Sequence, residues 1–290
     1  MTSSWMLVAG FLFAAAGVLV KIGAAQFSAA ELGFYRSFFT MLVAFVALRL
    51  AGVGVWSPFL GTHLIRGIVG AASLIGYFYA ITQLPLATAV TLNYTSPLFL
   101  AVTTTVVMRE RFSPWLVFAI ALGFAGVALL LQPNFETGKE GAAMIGLFSG
   151  VLAAWADLSV RSLGRLGEPD WRVVFWFGAV ASVICAGWHF VNAQAFNPIT
   201  SGNIGLLLGL GLAGVGAQLA MTRAYRTGNT LVVGAFSYSA IVFGTLATIL
   251  IWNDTLTWLA WCGMAVIVAS GIMAMRVEKK EQVEEAGFES

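Results

Sequence analysis

Between Tyr77 and Gln132 the chain reads YFYAITQLPLATAVTLNYTSPLFLAVTTTVVMRERFSPWLVFAIALGFAGVALLLQ, three apolar runs with only two interruptions. One interruption is the uncharged turn Gln83-Leu84-Pro85; the other is the charged Arg109-Glu110-Arg111. Each run can cross a hydrocarbon core of ~30 Å, which takes about 20 helical residues. Helices of a water-soluble core keep a polar face, and three runs in succession here have none. The segment fits a bilayer.

The rest of the chain has the same character. Hydrophobic residues make up 59% and charged residues 10%, with mean hydropathy +0.89, whereas soluble domains carry about 25% charged residues. The net charge of +2 leaves no nucleic-acid footprint, because the basic residues fall in loops. Cys185 and Cys262 each lie within an apolar run and read as small hydrophobes; two such residues build neither a disulfide framework nor a metal site. The run from Trp5 to Val20 lacks the basic start of a signal peptide and reads as a retained first span. Ten spans are expected, at about 4–22, 29–49, 62–82, 87–108, 114–131, 141–162, 171–190, 203–223, 230–252 and 256–276. The polar tail 277–290 is expected to be disordered.

Lys and Arg set the orientation. With the N-terminus in the cytoplasm, that side holds Arg49, Arg66, Arg109, Arg111, Arg161, Arg165, Arg172, Arg223, Arg226, Arg276, Lys279 and Lys280. Outside remain Lys21 and Lys139, with Arg36 inside the second span. Twelve against two places both termini in the cytoplasm.

The central stretch also recurs. At an offset of 144 residues Ala80 falls on Ala224, Tyr94 on Tyr238, Phe99 on Phe243 and Glu110 on Asp254, and after a one-residue slip Ala125-Gly126-Val127 falls on Ser270-Gly271-Ile272. A repeat of five spans is odd, so its second copy enters from the opposite side. The expected architecture is therefore an all-α membrane protein of two inverted five-helix repeats, 1–136 and 137–276. Halves related this way exchange shapes around a midplane site, which is a way to move a solute.

Several segments carry a resemblance. Phe34-Tyr35-Arg36, Ala87-Thr88-Ala89, Asn93-Tyr94-Thr95-Ser96-Pro97, and Arg109-Glu110-Arg111 ahead of Gly123-Phe124-Ala125-Gly126-Val127-Ala128-Leu129-Leu130 resemble the drug/metabolite transporter superfamily, in particular its EamA-type members with ten spans. The likeness covers about 5–276, and Asp254 stands where the family usually has Glu. The resemblance implies a bacterial inner-membrane exporter of small metabolites, commonly amino acids including aromatic ones. Its partners would be the solute and the lipid bilayer, and a monomer is the expected unit. An exporter or exchanger of another metabolite or drug is the alternative. An intramembrane enzyme or a channel-like subunit is a more distant one.

Polar groups at bilayer depth are costly, which makes them the functional candidates. Tyr79 and Gln83 lie four apart in the third span; Asn93 and Tyr94 open a polar patch before Pro97, where a kink is expected. Gln218 lies in the eighth span, and Ser237 and Tyr238 are the repeat counterparts of Asn93 and Tyr94. These seven form the candidate solute-binding set, weighed against simple helix-to-helix bonding. Trp155 either stacks on solute or faces lipid. Among charges, Asp157 and Arg161 have the spacing of a helical pair. Arg36, with Glu31 five residues back, reads as a structural anchor, and Glu110 and Asp254 as ties across the repeat. His63 and His189 lie at span ends without the partners of a metal or catalytic site. The chain has no Walker phosphate loop and no Gly-x-Ser-x-Gly elbow, so neither direct ATP drive nor that hydrolase chemistry is expected. No cofactor is expected either.

Overall fold

The computed structural model describes residues 2–84, 86–104, 113–133, 137–191, 196–253 and 255–288, and among them every regular element is helical. The helices are α1 (Trp5–Gly23), α2 (Ala29–Leu50), α3 (Leu60–Gln83), α4 (Leu86–Asn93), α5 (Ser96–Val102), α6 (Pro114–Leu131), α7 (Glu140–Arg165), α8 (Asp170–Val191), α9 (Ile204–Thr227), α10 (Thr230–Ser237), α11 (Ser239–Trp252) and α12 (Trp258–Phe288). Among the described residues eight segments are long and apolar enough to cross a membrane: α1, α2, α6, α7, α8, α9, the α10–α11 pair and α12 as far as Val277. α3 and the α4–α5 pair occupy the other two apolar runs. Phe11, Val46, Phe118, Phe148, Leu212 and Leu250 are each more than half exposed. An apolar outer surface of this kind suits lipid and not water.

Two of the expected continuous spans are broken. The run 87–108 divides at Tyr94-Thr95 into α4 and α5, and the run 230–252 divides at Tyr238 into α10 and α11. The first break has its cause in Pro97, which lies in the first turn of α5 and has no N–H to give the preceding turn. The second has no proline. There, Ser237 Oγ donates to Gly234 O at 2.7 Å, and such back-bonding bends helices. Thr95 Oγ1 does the same to Leu92 O at 2.6 Å.

The helix ends around the two breaks recur at the sequence offset of 144. α3 ends at Gln83 and α9 at Thr227; α4 runs Leu86–Asn93 and α10 runs Thr230–Ser237; α6 begins at Pro114 and α12 at Trp258. Ala80 and Ala224, one turn before the first pair of ends, are both fully buried.

The broadest helix contacts are α2 on α8, α3 on α7, α6 on α12 and α1 on α9. α7 also lies against α4 and α5, and α1 against α10 and α11. Glycine permits both of the latter approaches. A Cβ at position 150 would stand 2.9 Å from Leu92 O and 3.0 Å from Asn93 O, at the first break. A Cβ at position 10 would collide with Ser239 Oγ and stand 3.1 Å from Ala240 N, at the second.

α2 and α8 are stapled at both ends. Ser28 and Glu31 form a capping box at the start of α2, with Ser28 N donating to Glu31 Oε2 at 2.7 Å and Glu31 N to Ser28 Oγ at 3.3 Å. The same carboxylate accepts from Asn197 N at 2.6 Å, beyond the end of α8. Glu31 is thus committed to these partners and not to Arg36. At the opposite end Arg172 Nε donates to Gly54 O at 3.0 Å and Trp176 Nε1 to Val55 O at 2.9 Å, both beyond the end of α2. Glu168 accepts there from Ser57 Oγ at 2.7 Å and from Arg172 Nη1 at 3.0 and 3.1 Å, and its Oε2 lies 3.1 Å from His63 Nε2. His63, read from the sequence only as a span-end residue without the partners of a metal or catalytic site, is part of this staple. Burial opposes ionisation of Glu168, but the bonds from Ser57, Arg172 and His63 outweigh it and hold the carboxyl below its ordinary value.

The tail also differs from expectation. α12 continues to Phe288, through most of the segment expected to be disordered. Its composition explains this, since Glu, Lys, Gln and Ala between 278 and 286 are strong helix formers.

Candidate functional site

Helical spacing assembles the polar interior from stripes. On α3, Arg66, Gly70, Ser73 and Tyr77 share one face; on α7, Gly146, Gly150, Asp157 and Arg161 do; on α9, Gly214, Gln218 and Tyr225 do. Where α3, α7 and the first break meet, Ser73 Oγ donates to Ser149 O at 2.8 Å and Asn93 Nδ2 to Ser149 Oγ at 3.0 Å. Tyr77 and Tyr94 are close neighbours in the same layer. This layer is polar and uncharged.

A charged layer adjoins it. Tyr225 of α9 donates to Asp157 Oδ2 of α7 at 3.0 Å. Arg66 of α3 is 4% exposed and has Asp157, Tyr225 and Arg36 as its charged and polar neighbours. Its guanidinium lies 4.3 Å from the ring centroid of Phe177 on α8. Arg36 of α2 crosses α9 at Gly214, where a Cβ would stand 3.0 Å from Arg36 Cγ and Nε, and lies 5.8 Å from the ring centroid of Phe13 on α1. Six helices therefore contribute to one cluster.

The seven candidate solute-binding residues separate. Asn93 and Tyr94 lie in the uncharged layer, and Gln218 is buried on the α9 stripe between Gly214 and Tyr225. Tyr79 is 43% exposed, on a face of α3 turned about 200° from Tyr77, and Gln83 is exposed at the end of the helix. Ser237 spends its hydroxyl on Gly234 O. Tyr238 is fully buried; its ring fills the space beside Gly123 of α6 and Ser270 of α12, and it lies near enough to Tyr225 to act on it. Trp155 is 55% exposed.

The charged candidates also differ from expectation. Asp157 bonds across to Tyr225 and faces Arg66; Arg161, the partner suggested by spacing, is not its bonded group. Arg66 and Arg161, both counted on the cytoplasmic side, are buried among the helices, so the charge count rests on the other ten. Glu110 and Asp254 lie outside the described residues. Sequence reasoning missed Arg66, Tyr77 and Tyr225. The readable signal for the first two was the Arg66-Gly70-Ser73-Tyr77 stripe, a row of small and polar positions at helical spacing in an apolar run.

Residues 1–132 match the EamA-like transporter family. Over 276 residues the chain is 31% identical to the pseudopaline exporter CntI of Pseudomonas aeruginosa, a match covering 94% of this chain and 95% of that protein. The chain belongs to the EamA-like transporter family. A riboflavin transporter of Rhizobium johnstonii is 25% identical over 281 residues, covering 96% of this chain and 92% of the relative. A solved crystal structure shares the fold at a TM-score of 0.83 and 21% identity, covering 96% of this chain and 98% of its own. Membership brings a solute and a membrane into the account, and the two polar layers are where this EamA-like transporter gathers its interior polar groups.

Proposed function

We propose that the protein is a secondary, non-ATP exporter of small metabolites, foremost amino acids including aromatic ones, working by alternating access in a bacterial inner membrane. It crosses the bilayer ten times with both termini cytoplasmic, and 1–136 and 137–276 act as inverted halves. It is a transporter and not an enzyme. The observation that carries the reading is the pair of broken spans, 144 residues apart, each crossed by a glycine of the other long helix. Broken helices at corresponding positions of two halves mark the solute site in transporters of this kind.

The packing supports the inverted arrangement. Exchanging the halves turns α3 on α7 into α9 on α1, and α7 on the α4–α5 pair into α1 on the α10–α11 pair, while α2 on α8 and α6 on α12 map onto themselves. The solute assignment is favoured by an interior layer of hydroxyls, amides and aromatic rings with a small charged cluster beside it. A different metabolite is the second reading, because relatives are named for pseudopaline and riboflavin. The test is uptake of a panel of radiolabelled amino acids, with riboflavin beside them, into proteoliposomes with and without a pH gradient. Saturable flux of an amino acid supports the first reading; riboflavin flux without amino-acid flux selects the second.

A further inference from the structure

We propose that Arg36 and Arg66 read a carboxylate on the solute, so that the transported molecule carries one such group. This rests on the transporter reading above and adds to it a chemical class and the residues that select it.

Among the described residues neither guanidinium has a hydrogen-bond partner, although the Nε of each is shielded from solvent. A guanidinium carries five N–H donors in a fixed fork and no acceptor. A buried cation in a membrane interior is expensive and is the default mark of a functional group. Asp157 does not resolve the matter for Arg66. It sits close enough to act on the Arg66 charge, yet it bonds Tyr225. Arg66 is thus held beside a carboxylate without being closed onto it. Phe177 and Phe13 bring aromatic rings to the two arginines, and these rings offer the guanidinium N–H groups no oxygen or nitrogen acceptor.

Charge balance then selects the ligand. Arg161, one turn further along α7 than Asp157, has a partner of its own. Of the charges that act on one another here, Arg36, Arg66 and an ionised Asp157 leave a single positive charge. A carboxylate cancels it and matches the fork with two parallel N–H···O bonds. A phosphate monoester brings roughly −1.5 to −2 and overshoots. A simple amine is repelled. The cluster draws on α1, α2 and α3 from one half and α7, α8 and α9 from the other, so a group bound there touches both. Asn93, Tyr77 and Tyr94 in the adjoining layer are left to the rest of the solute.

The test profiles spent medium by mass spectrometry, using the cell's own exported metabolites as probes. Cells making the wild-type protein are compared with cells lacking it, and with cells making Arg66→Gln or the charge-balanced Arg66→Gln/Asp157→Asn. Membrane abundance is matched throughout. The metabolites enriched by the wild type are expected to carry a carboxylate. Their enrichment should fall at least about tenfold in both variants, as loss of a charge-assisted bidentate contact implies. Recovery of export in the double variant would reduce Arg66 and Asp157 to a structural pair and overturn the proposal. Enriched metabolites without a carboxylate would overturn it while leaving the transporter reading intact. No enrichment of any metabolite would remove the transporter reading, and this inference with it.

Discussion

The Tyr225 hydroxyl donates to Asp157 Oδ2 at 3.0 Å and so ties α9 to α7 near their C-terminal ends. Beside it, Arg226 Nη1 donates to Asp170 Oδ1 of α8 at 3.0 Å, and Gly164, two turns beyond Asp157, lets α7 pass against Arg226. On the proposed topology this is the cytoplasmic end. The corresponding pair by half-exchange, α1 with α3, makes no broad contact, so the two ends of the bundle are not equally closed.

Tyr225→Phe and Asp157→Asn should each lower stability in detergent by about 1.5–3 kcal/mol, the range for a hydrogen bond to a charged group. The double variant should cost clearly less than their sum, because both remove the same bond. Chemical unfolding of the four proteins measures the coupling; strict additivity would mean that the bond does not form.

The glycines at the two breaks should behave alike. Gly150→Val and Gly10→Val force Cβ and two methyls into Leu92 O and the Ser239–Ala240 backbone, respectively. Overpacking of that kind costs about 1–3 kcal/mol, and transport should fall with it in both. Gly61→Ala, where nothing stands within 4 Å, should leave transport unchanged. A harmless Gly150→Val would contradict the close crossing of α7 over the first break.

The Glu168 staple predicts an acid limit. Its carboxyl titrates below the ordinary 4.5 when folded, so its contribution is complete above that pH and fades as pH falls through the lower folded value. Glu168→Gln should therefore destabilise the protein by about 2 kcal/mol at pH 7, with the difference from wild type vanishing under acid. Thermal unfolding between pH 3 and pH 7 reads this directly. A constant difference across the range would show that the charge plays no part.

Orientation has its own test. Cysteines replacing Thr137 and Thr200 should react with an impermeant thiol reagent from outside the cell, and cysteines replacing Arg165 and Thr227 only after permeabilisation. Outside labelling at Arg165 would remove the basis for inverted halves.

How far the sequence reached follows from what periodicity can see. Apolar length exposed the runs, and the offset joining Ala80 to Ala224 recurs in the ends of α3 and α9, although the expected end of the latter at 223 fell four residues short of Thr227. Pro97 announced the first break. The second was silent, because a serine back-bond and the fit of Tyr238 between α6 and α12 leave no breaker residue to read. The site was less legible for a related reason. Spacing finds partners on one helix, as with Asp157 and Arg161, whereas the bonded partner Tyr225 lies 68 residues away on another. Burial cost identifies polar residues without saying which way they turn. Tyr79 and Tyr238 looked equivalent as candidates, yet one is exposed and the other fills the apolar core. Arg66 was overlooked because, near the start of the third span, it was counted only as a cation of the cytoplasmic side.

Alternating access is the central claim, and a reversible lock tests it most directly. A Cβ at position 164 would stand 3.0 Å from both Arg226 Cα and Cβ, a few tenths of an ångström inside the ~3.5 Å at which a disulfide begins, so α7 and α9 must part slightly to seat the bond, and the shorter side chain of Arg226→Cys leaves room for that. The double variant Gly164→Cys/Arg226→Cys should transport when reduced, lose transport when oxidised to a quantitative cross-link, and regain it on reduction. Full-rate transport by the cross-linked protein would mean that α7 and α9 never part at this end, and would contradict the account.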